Sequence, residues 1–307
     1  MKRRCPNLSC SQEKPTSSSA PKSTPIVRKG AFYRRSDRRR ITRYFCKQCK
    51  THFSSATHHP DFRQKRREIN EKIKLLQCSG VSQRRLALIL NANRKTVVKK
   101  FRLLAERARV EHATWLSQFH DDKITQVQFD DLETSEHTKC KPLSVTLAVR
   151  EDTREILAFQ VSRMPAKGHL SRVSVQKYGY RRDERPENWK IFFKSLIPIL
   201  SQTTHFKSDE NPHYPKALKT YFPSAVHETF PGARGAVAGQ GELKKLRFDP
   251  LFSLNHTCAM LRANLNRLFR RTWCTTKTVQ GLIDHLSLYV VFHNQALIGA
   301  GAAKGAS

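Results

Sequence analysis

Between Val127 and Glu133 the chain reads Val-Gln-Phe-Asp-Asp-Leu-Glu, an alternating apolar and polar run that ends in carboxylates. An acid at the end of a buried strand is costly unless something pairs with it. A second apolar run ends the same way, at Phe206-Lys207-Ser208-Asp209-Glu210. Two acids far apart in sequence, each closing a strand, point to one shared cation. Around them Leu143–Val149 and Glu155–Val161 read as two further strands, with Glu151–Arg154 as the hairpin turn. Pro186–Leu200 and Tyr214–Tyr221 read as helices, Ser224–Phe230 as a strand, and Leu251–Phe269 and Lys277–Asn294 as the last helical stretches. The order of three strands, helix, strand, helix, strand, helix suits a mixed sheet covered by helices.

Charge narrows the partner. The 307 residues carry a net charge of +32 with eight cysteines. Self-repulsion on that scale is relieved by a polyanion, and nucleic acid is the usual one. No apolar run approaches the roughly 20 residues that span a bilayer, and the start Met-Lys-Arg-Arg has no apolar leader core. The expectation is a cytoplasmic, nucleoid-associated protein with no membrane partner, whose cysteines are thiols or metal ligands rather than disulfides.

Two cysteine pairs stand at the N-terminus, Cys5-x4-Cys10 and Cys46-x2-Cys49. Two close pairs separated by a loop can set four thiolates tetrahedrally around Zn²⁺. Arg43–Phe45 reads as a strand entering the second turn and Thr51–Ser54 as one leaving it, the layout of a zinc ribbon over residues 1–57. His52 is a lesser candidate ligand. Ser17–Lys29, rich in Ser and Pro, reads as a flexible excursion, and the run containing Arg38, Arg39 and Arg40 as a phosphate-contacting segment.

Residues 58–115 turn helical. Ile69, Ile73 and Leu76 share a face, Gly80 ends that helix, Ser82 caps the next, and Asn93 caps a third that buries Val97, Phe101 and Leu104. The third helix would turn Arg94, Lys95, Thr96, Lys99 and Lys100 outward, which fits a DNA-binding helix-turn-helix.

In this order of modules the chain resembles a bacterial insertion-sequence transposase of the DDE type. The segment from Asn255 through Arg262 to Thr272, with the Lys277–Asn294 helix after it, is similar to the final catalytic region of the insertion-element-one family. The resemblance implies a multidomain α+β protein whose residues 120–296 form an RNase H-like α/β domain. It also implies metal-dependent cleavage and strand transfer on double-stranded DNA by a homo-oligomer assembled at the element's ends. By position, Asp130 and Asp209 would hold Mg²⁺ (or Mn²⁺), with Asp131 as the rival of Asp130. The third ligand, Glu in the family, would fall at Asn255 or His256, with Asp249 and Glu242 as nearby acids. That departure leaves open an active Asp-Asp-Asn variant, a shifted acid, or a decayed enzyme acting only as a DNA-binding protein. Lys167–Arg185 is expected to be a basic DNA-holding loop, Gly232–Gly241 a mobile loop, and residues 297–307 a disordered tail.

Overall fold

A computed structural model describes residues 4–7, 9–10, 25–35, 38–59, 61–231, 249–269 and 274–299. The chain divides into two compact units, Met1–Lys72 and Ile73–Ser307. The expected boundary at residue 57 therefore moves into the first helical segment. The Gly232–Gly241 loop, Glu242 and the tail beyond Gly299 lie outside the described residues.

The first unit is built on a three-stranded antiparallel sheet in the order β1 (Ile26–Arg34), β2 (Arg39–Cys46), β3 (His52–Ser54). A register shift between Arg28 and Ala31 bulges β1, and Gly30 takes the positive φ of 83° found there. β1 begins at Ile26, inside the stretch read as a flexible excursion, and residues 17–24 of that stretch lie outside the described residues. Ile26, Cys46 and Phe53 form a small core, against which Cys5, Cys10, Tyr44 and Cys49 pack.

The second unit opens with helices. α1 (Asn70–Gln77) runs across the boundary, followed by α2 (Gln83–Ile89) and α3 (Arg94–Leu116). Both expected caps are in place: Ser82 Oγ accepts from Arg85 N, and Asn93 Oδ1 accepts from Lys95 N at 2.8 Å. Val97, Phe101 and Leu104 are buried as read, and α3 continues to Leu116. Lys100 corrects the sequence reading: it is buried, 6% exposed. It stands one residue before Phe101 and three after Val97, so helical periodicity places it on the inner face.

The larger sheet has five strands in the order β6 (Ile156–Arg163), β5 (Pro142–Arg150), β4 (Ile124–Ser135), β7 (Leu200–Asp209), β8 (Val226–Phe230). The first three are antiparallel, and β7 and β8 run parallel to β4. β5 is buried from Leu143 to Val149, as a strand covered on both faces must be. On one face Val127, Phe129 and Phe206 pack against Trp189, Phe192, Phe193 and Leu196 of α5 (Arg185–Leu196) and Tyr214 and Leu218 of α6 (Tyr214–Tyr221). On the other lies α7 (Phe252–Asn264), tied to β4 by one buried side chain: Gln128 Nε2 donates to Pro250 O and Gln128 Oε1 accepts from Leu254 N, both at 2.9 Å.

Three boundaries differ from the sequence reading. α5 stops at Leu196, because Pro198 cannot continue the helix and Leu200 already starts β7. The last helical region breaks at Leu265, which is extended, so α7 ends at Asn264 rather than near Phe269. The basic stretch 167–185 contains a helix, α4 (Leu170–Tyr178). The final helix α8 (Val279–Phe292) packs on α3 and is nearly all buried. In the π-helical turns beyond it, Asn294 satisfies the free edge of β6: its Oδ1 accepts from Ile156 N at 2.9 Å and its Nδ2 donates to Ile156 O at 3.0 Å.

Candidate functional site

The four N-terminal cysteines converge. Their sulfurs all lie within 4.8 Å of one another, with Cys5 to Cys49 at 3.4 Å and Cys10 to Cys46 at 3.7 Å. A tetrahedral ZnS₄ centre with Zn–S of about 2.3 Å has sulfur–sulfur edges of about 3.8 Å, so the donor set fits zinc in size as well as in chemistry. β2 ends on Cys46, whose backbone N–H donates to Thr51 O across the turn and fixes the second pair. Cys49 is drawn down to about 6, chiefly by the Thr51 hydroxyl at 3.2 Å. Cys10 is pushed up to about 12 by loss of hydration and by the crowding of Cys49, Cys46 and Cys5. Among the described residues no other group of three or more His, Cys, Asp or Glu side chains converges this way. His52 is not part of the cluster.

The second site is made by the sheet. β4 and β7 are parallel neighbours with Val127 opposite Phe206 and Gln128 opposite Lys207. Two residues beyond that last pair come Asp130 and, closing β7, Asp209; by strand alternation Asp130 falls on the face of Gln128. The electrostatics agree. Burial first and the Asp209 charge second push Asp130 up to about 7, against a backbone N–H from Asp131 at 2.6 Å and the Tyr214 hydroxyl at 3.2 Å. Asp209 Oδ1 also accepts from Asn211 N at 3.2 Å, closing the turn after the strand.

Asp131 points to the opposite face. Its Oδ1 accepts from Thr146, its cross-strand partner, and from Trp189 Nε1 at 3.5 Å. Burial raises its pKa, and its Oδ2 is buried without a partner. Tyr214, at the start of α6, reaches the three carboxylates, and burial followed by the charges of Asp131, Asp130 and Asp209 raises its phenol far above the ordinary range. Glu133 is exposed and paired with Lys167 at 2.6 Å.

The third position is not brought to the pair. Asn255 is exposed and its Nδ2 donates to Asp249 Oδ2 at 2.9 Å. Asp249 is thereby engaged, and its Oδ1 accepts from Leu251 N. His256 lies 3.4 Å from the Arg154 guanidinium, with its Nδ1 buried and unpartnered. The α7 side chain that feels the Asp130 charge is Cys258. Burial pushes its thiol up to about 12, Arg262 opposes that, and Asp130 adds to it. Sequence reading missed Cys258 and Tyr214. A signal for the first was present, since Cys258 follows Leu254 by four residues and shares its inward face.

The expected nucleic-acid residues divide. Arg94, Lys95 and Lys99 are exposed, Thr96 is half-buried and Lys100 is buried. Arg38, Arg39 and Arg40 are exposed in the first unit. Arg39 and Arg40 there line a cavity of about 620 Å³ with Arg34 and Arg67, but also with Asp61 and Glu68.

Set against models of protein families the chain matches none, and no curated protein matches it. Among the described residues no helix is long and apolar enough to cross a membrane.

Proposed function

We propose that the protein is a DNA transposase of the DDE type, cleaving and rejoining phosphodiester bonds at the ends of an insertion sequence. The observation that carries the reading is that buried Asp130, midway along β4, feels the charge of Asp209, the last residue of the parallel neighbour β7, and is raised to about 7 by burial and by that charge. A buried carboxyl raised by desolvation together with a specific charged neighbour is a marker of functional sites. The strand order β6-β5-β4-β7-β8, three antiparallel strands and then two parallel ones, is what an RNase H-like domain would have. The four-cysteine cluster and its three strands fit a zinc ribbon. The capped pair α2 and α3, with Arg94, Lys95 and Lys99 exposed, fits a helix-turn-helix. The net charge of +32 favours double-stranded DNA as partner.

Asp130 and Asp209 would hold Mg²⁺ or Mn²⁺, which supplies Lewis acidity to a phosphodiester oxygen and lowers the pKa of an attacking water or hydroxyl. The chain's own residues prepare that position. Tyr214 and the Asp131 N–H fix the Asp130 carboxylate, and the Asn211 N–H fixes that of Asp209. Thr146 and Trp189 hold Asp131 away from the pair.

The test is nicking of supercoiled plasmid by the full chain in Mg²⁺ or Mn²⁺. Asp130→Asn and Asp209→Asn are each expected to lose it by at least a hundredfold while still binding duplex DNA. Equal nicking by wild type and both variants would overturn the site. A second reading, a DNA-binding protein without catalysis, is favoured by one observation: Asn255 is turned to Asp249, and α7 offers Asp130 a thiol rather than an acid. Duplex binding with no nicking in either metal would select it.

A further inference from the structure

Within the second unit four cationic side chains from four segments line one cleft of about 350 Å³. Arg84 comes from α2, Arg94 from the first turn of α3, Arg267 from the turn after α7, and Lys277 from the segment leading into α8. The hydroxyls of Ser82 and Thr275 line it too, and among the described residues no Asp or Glu does. The contrast with the arginine-lined cavity of the first unit is decisive, because there Asp61 and Glu68 stand among the arginines and compensate them internally.

Gathering like charges costs free energy unless an anion joins them. Arg267 bears most of that cost. It is half-buried, and burial lowers its guanidinium pKa. The carboxylate that opposes this is Asp284, which is already committed to Arg109 at 3.0 Å and to Gln280 at 2.8 Å. Lys277 donates to the Thr275 hydroxyl at 3.1 Å, and among the described residues it has no carboxylate partner.

We infer that this cleft anchors a backbone phosphate of duplex DNA, coupling the α2–α3 helices to the chain between α7 and α8. The inference rests on the DNA reading above and adds a position to it. Arg94 also belongs to a neighbouring groove along α3, which Lys95, Lys99 and Arg102 line, with one acid, Glu106, a turn beyond Arg102. From Arg94 to Arg102 the helix rises about 12 Å, while a duplex strand rises about 3.4 Å per phosphate. A cleft that continues into a cationic track of this length fits a polymer of phosphates rather than one free ion. The anchoring contact carries no sequence information and sets the register in which α3 meets the bases.

The test is binding of a 30-base-pair duplex to the full chain by fluorescence anisotropy, from low to moderate salt. It runs in parallel with thermal melting of the protein in inorganic phosphate and tripolyphosphate. The informative variant is the double change Arg84→Ala with Lys277→Ala, both exposed, and Arg267→Gln is its half-buried counterpart. Expected is a fall in affinity of about tenfold at fixed salt, equal for unrelated duplexes, and a salt slope smaller by about one to two units. Wild-type affinity and slope in the double variant would overturn the inference even if wild type binds DNA well. If wild type binds no duplex but tripolyphosphate raises its melting temperature and not that of the double variant, the cleft is a small-anion site and the DNA reading falls. If neither probe binds, both fall.

Discussion

The cysteine cluster and the aspartate pair are both candidate metal sites, and they are built in opposite ways. Each cysteine pair is set by a turn of a few residues, and the four sulfurs close to within 4.8 Å. The aspartates come from strands nearly eighty residues apart, and only the register of β4 against β7 sets them together. The cysteines form a complete donor set for a structural metal. The aspartates are two donors among helices, with Asn255 turned outward and Cys258 inward. The difference teaches where the structure needs its metal. The first unit's cluster holds only Ile26, Cys46 and Phe53, with Tyr44 and the other three cysteines packed on it, so an ion bound there would be expected to contribute much of its stability. The second has a large apolar core of its own, so an ion at Asp130 and Asp209 would serve chemistry.

The largest expected effect breaks the first half of that comparison. Cys46→Ser removes a buried ligand on which β2 ends. Structural zinc contributes on the order of 10 kcal/mol to the fold that binds it. The variant should lose its zinc on metal analysis, and hydrogen exchange should show residues 26–54 unprotected while β4, β5 and α8 stay protected. Unchanged protection in a zinc-free Cys46→Ser protein would mean that the small core holds without metal.

The second prediction concerns stability at the aspartates. An unfolded carboxyl titrates near its ordinary value of 3.8, whereas folded Asp130 titrates near 7. The folded state therefore holds that proton more tightly. Its contribution to stability is complete below pH 3.8 and is lost as pH rises through about 7. Asp130→Asn keeps the shape and removes the charge. In chelator at pH 8 it should be more stable than wild type by about 2 to 4 kcal/mol, the upper figure being some three pH units at 1.4 kcal/mol each. Denaturant midpoints from pH 4 to 8 measure this, and the advantage should vanish near pH 4. Magnesium should stabilise wild type and leave the variant unmoved. A cost to stability at pH 8 would show that Asp130 holds the fold rather than a cation.

How much of this was legible beforehand follows from the same contrast. The cysteine spacing, the caps Ser82 and Asn93, and the alternation through Val127 and Phe129 are local signals, and each corresponds to a structural feature. The choice of Asp130 over Asp131 is a matter of parity along one strand, and the side chains do face opposite ways. Lys100 was misread because charge was weighed above periodicity. The helix buries positions 97, 100, 101 and 104 together, whatever the residue type. What α7 presents to Asp130 is not legible in the sequence, because it depends on how that helix is rotated about its axis. Gln128, a buried polar residue in a strand that by composition is merely amphipathic, ties the start of α7 to β4 by two hydrogen bonds.

The smallest expected effect tests that strap. Gln128 satisfies one carbonyl before α7 and one of the first N–H groups of α7, which helices leave unpaired. Gln128→Met keeps the length and apolar stem but removes both bonds, leaving Pro250 O and Leu254 N without a partner in the core. A buried group left unsatisfied costs about 1 to 3 kcal/mol. Part of that is recovered if α7 frays and admits water, so the net loss should be about 1 to 2 kcal/mol in denaturant unfolding. The more telling readout is Cys258. With α7 loosened, its thiol should react faster with a maleimide in Gln128→Met than in wild type, while Cys78, buried beside α1, stays inert in both. Equal Cys258 reactivity would mean that Leu254, Thr257 and Leu261 fix the rotation of α7 by apolar packing alone. The placement of the thiol near Asp130 would then belong to the core rather than to a single hydrogen-bonded glutamine.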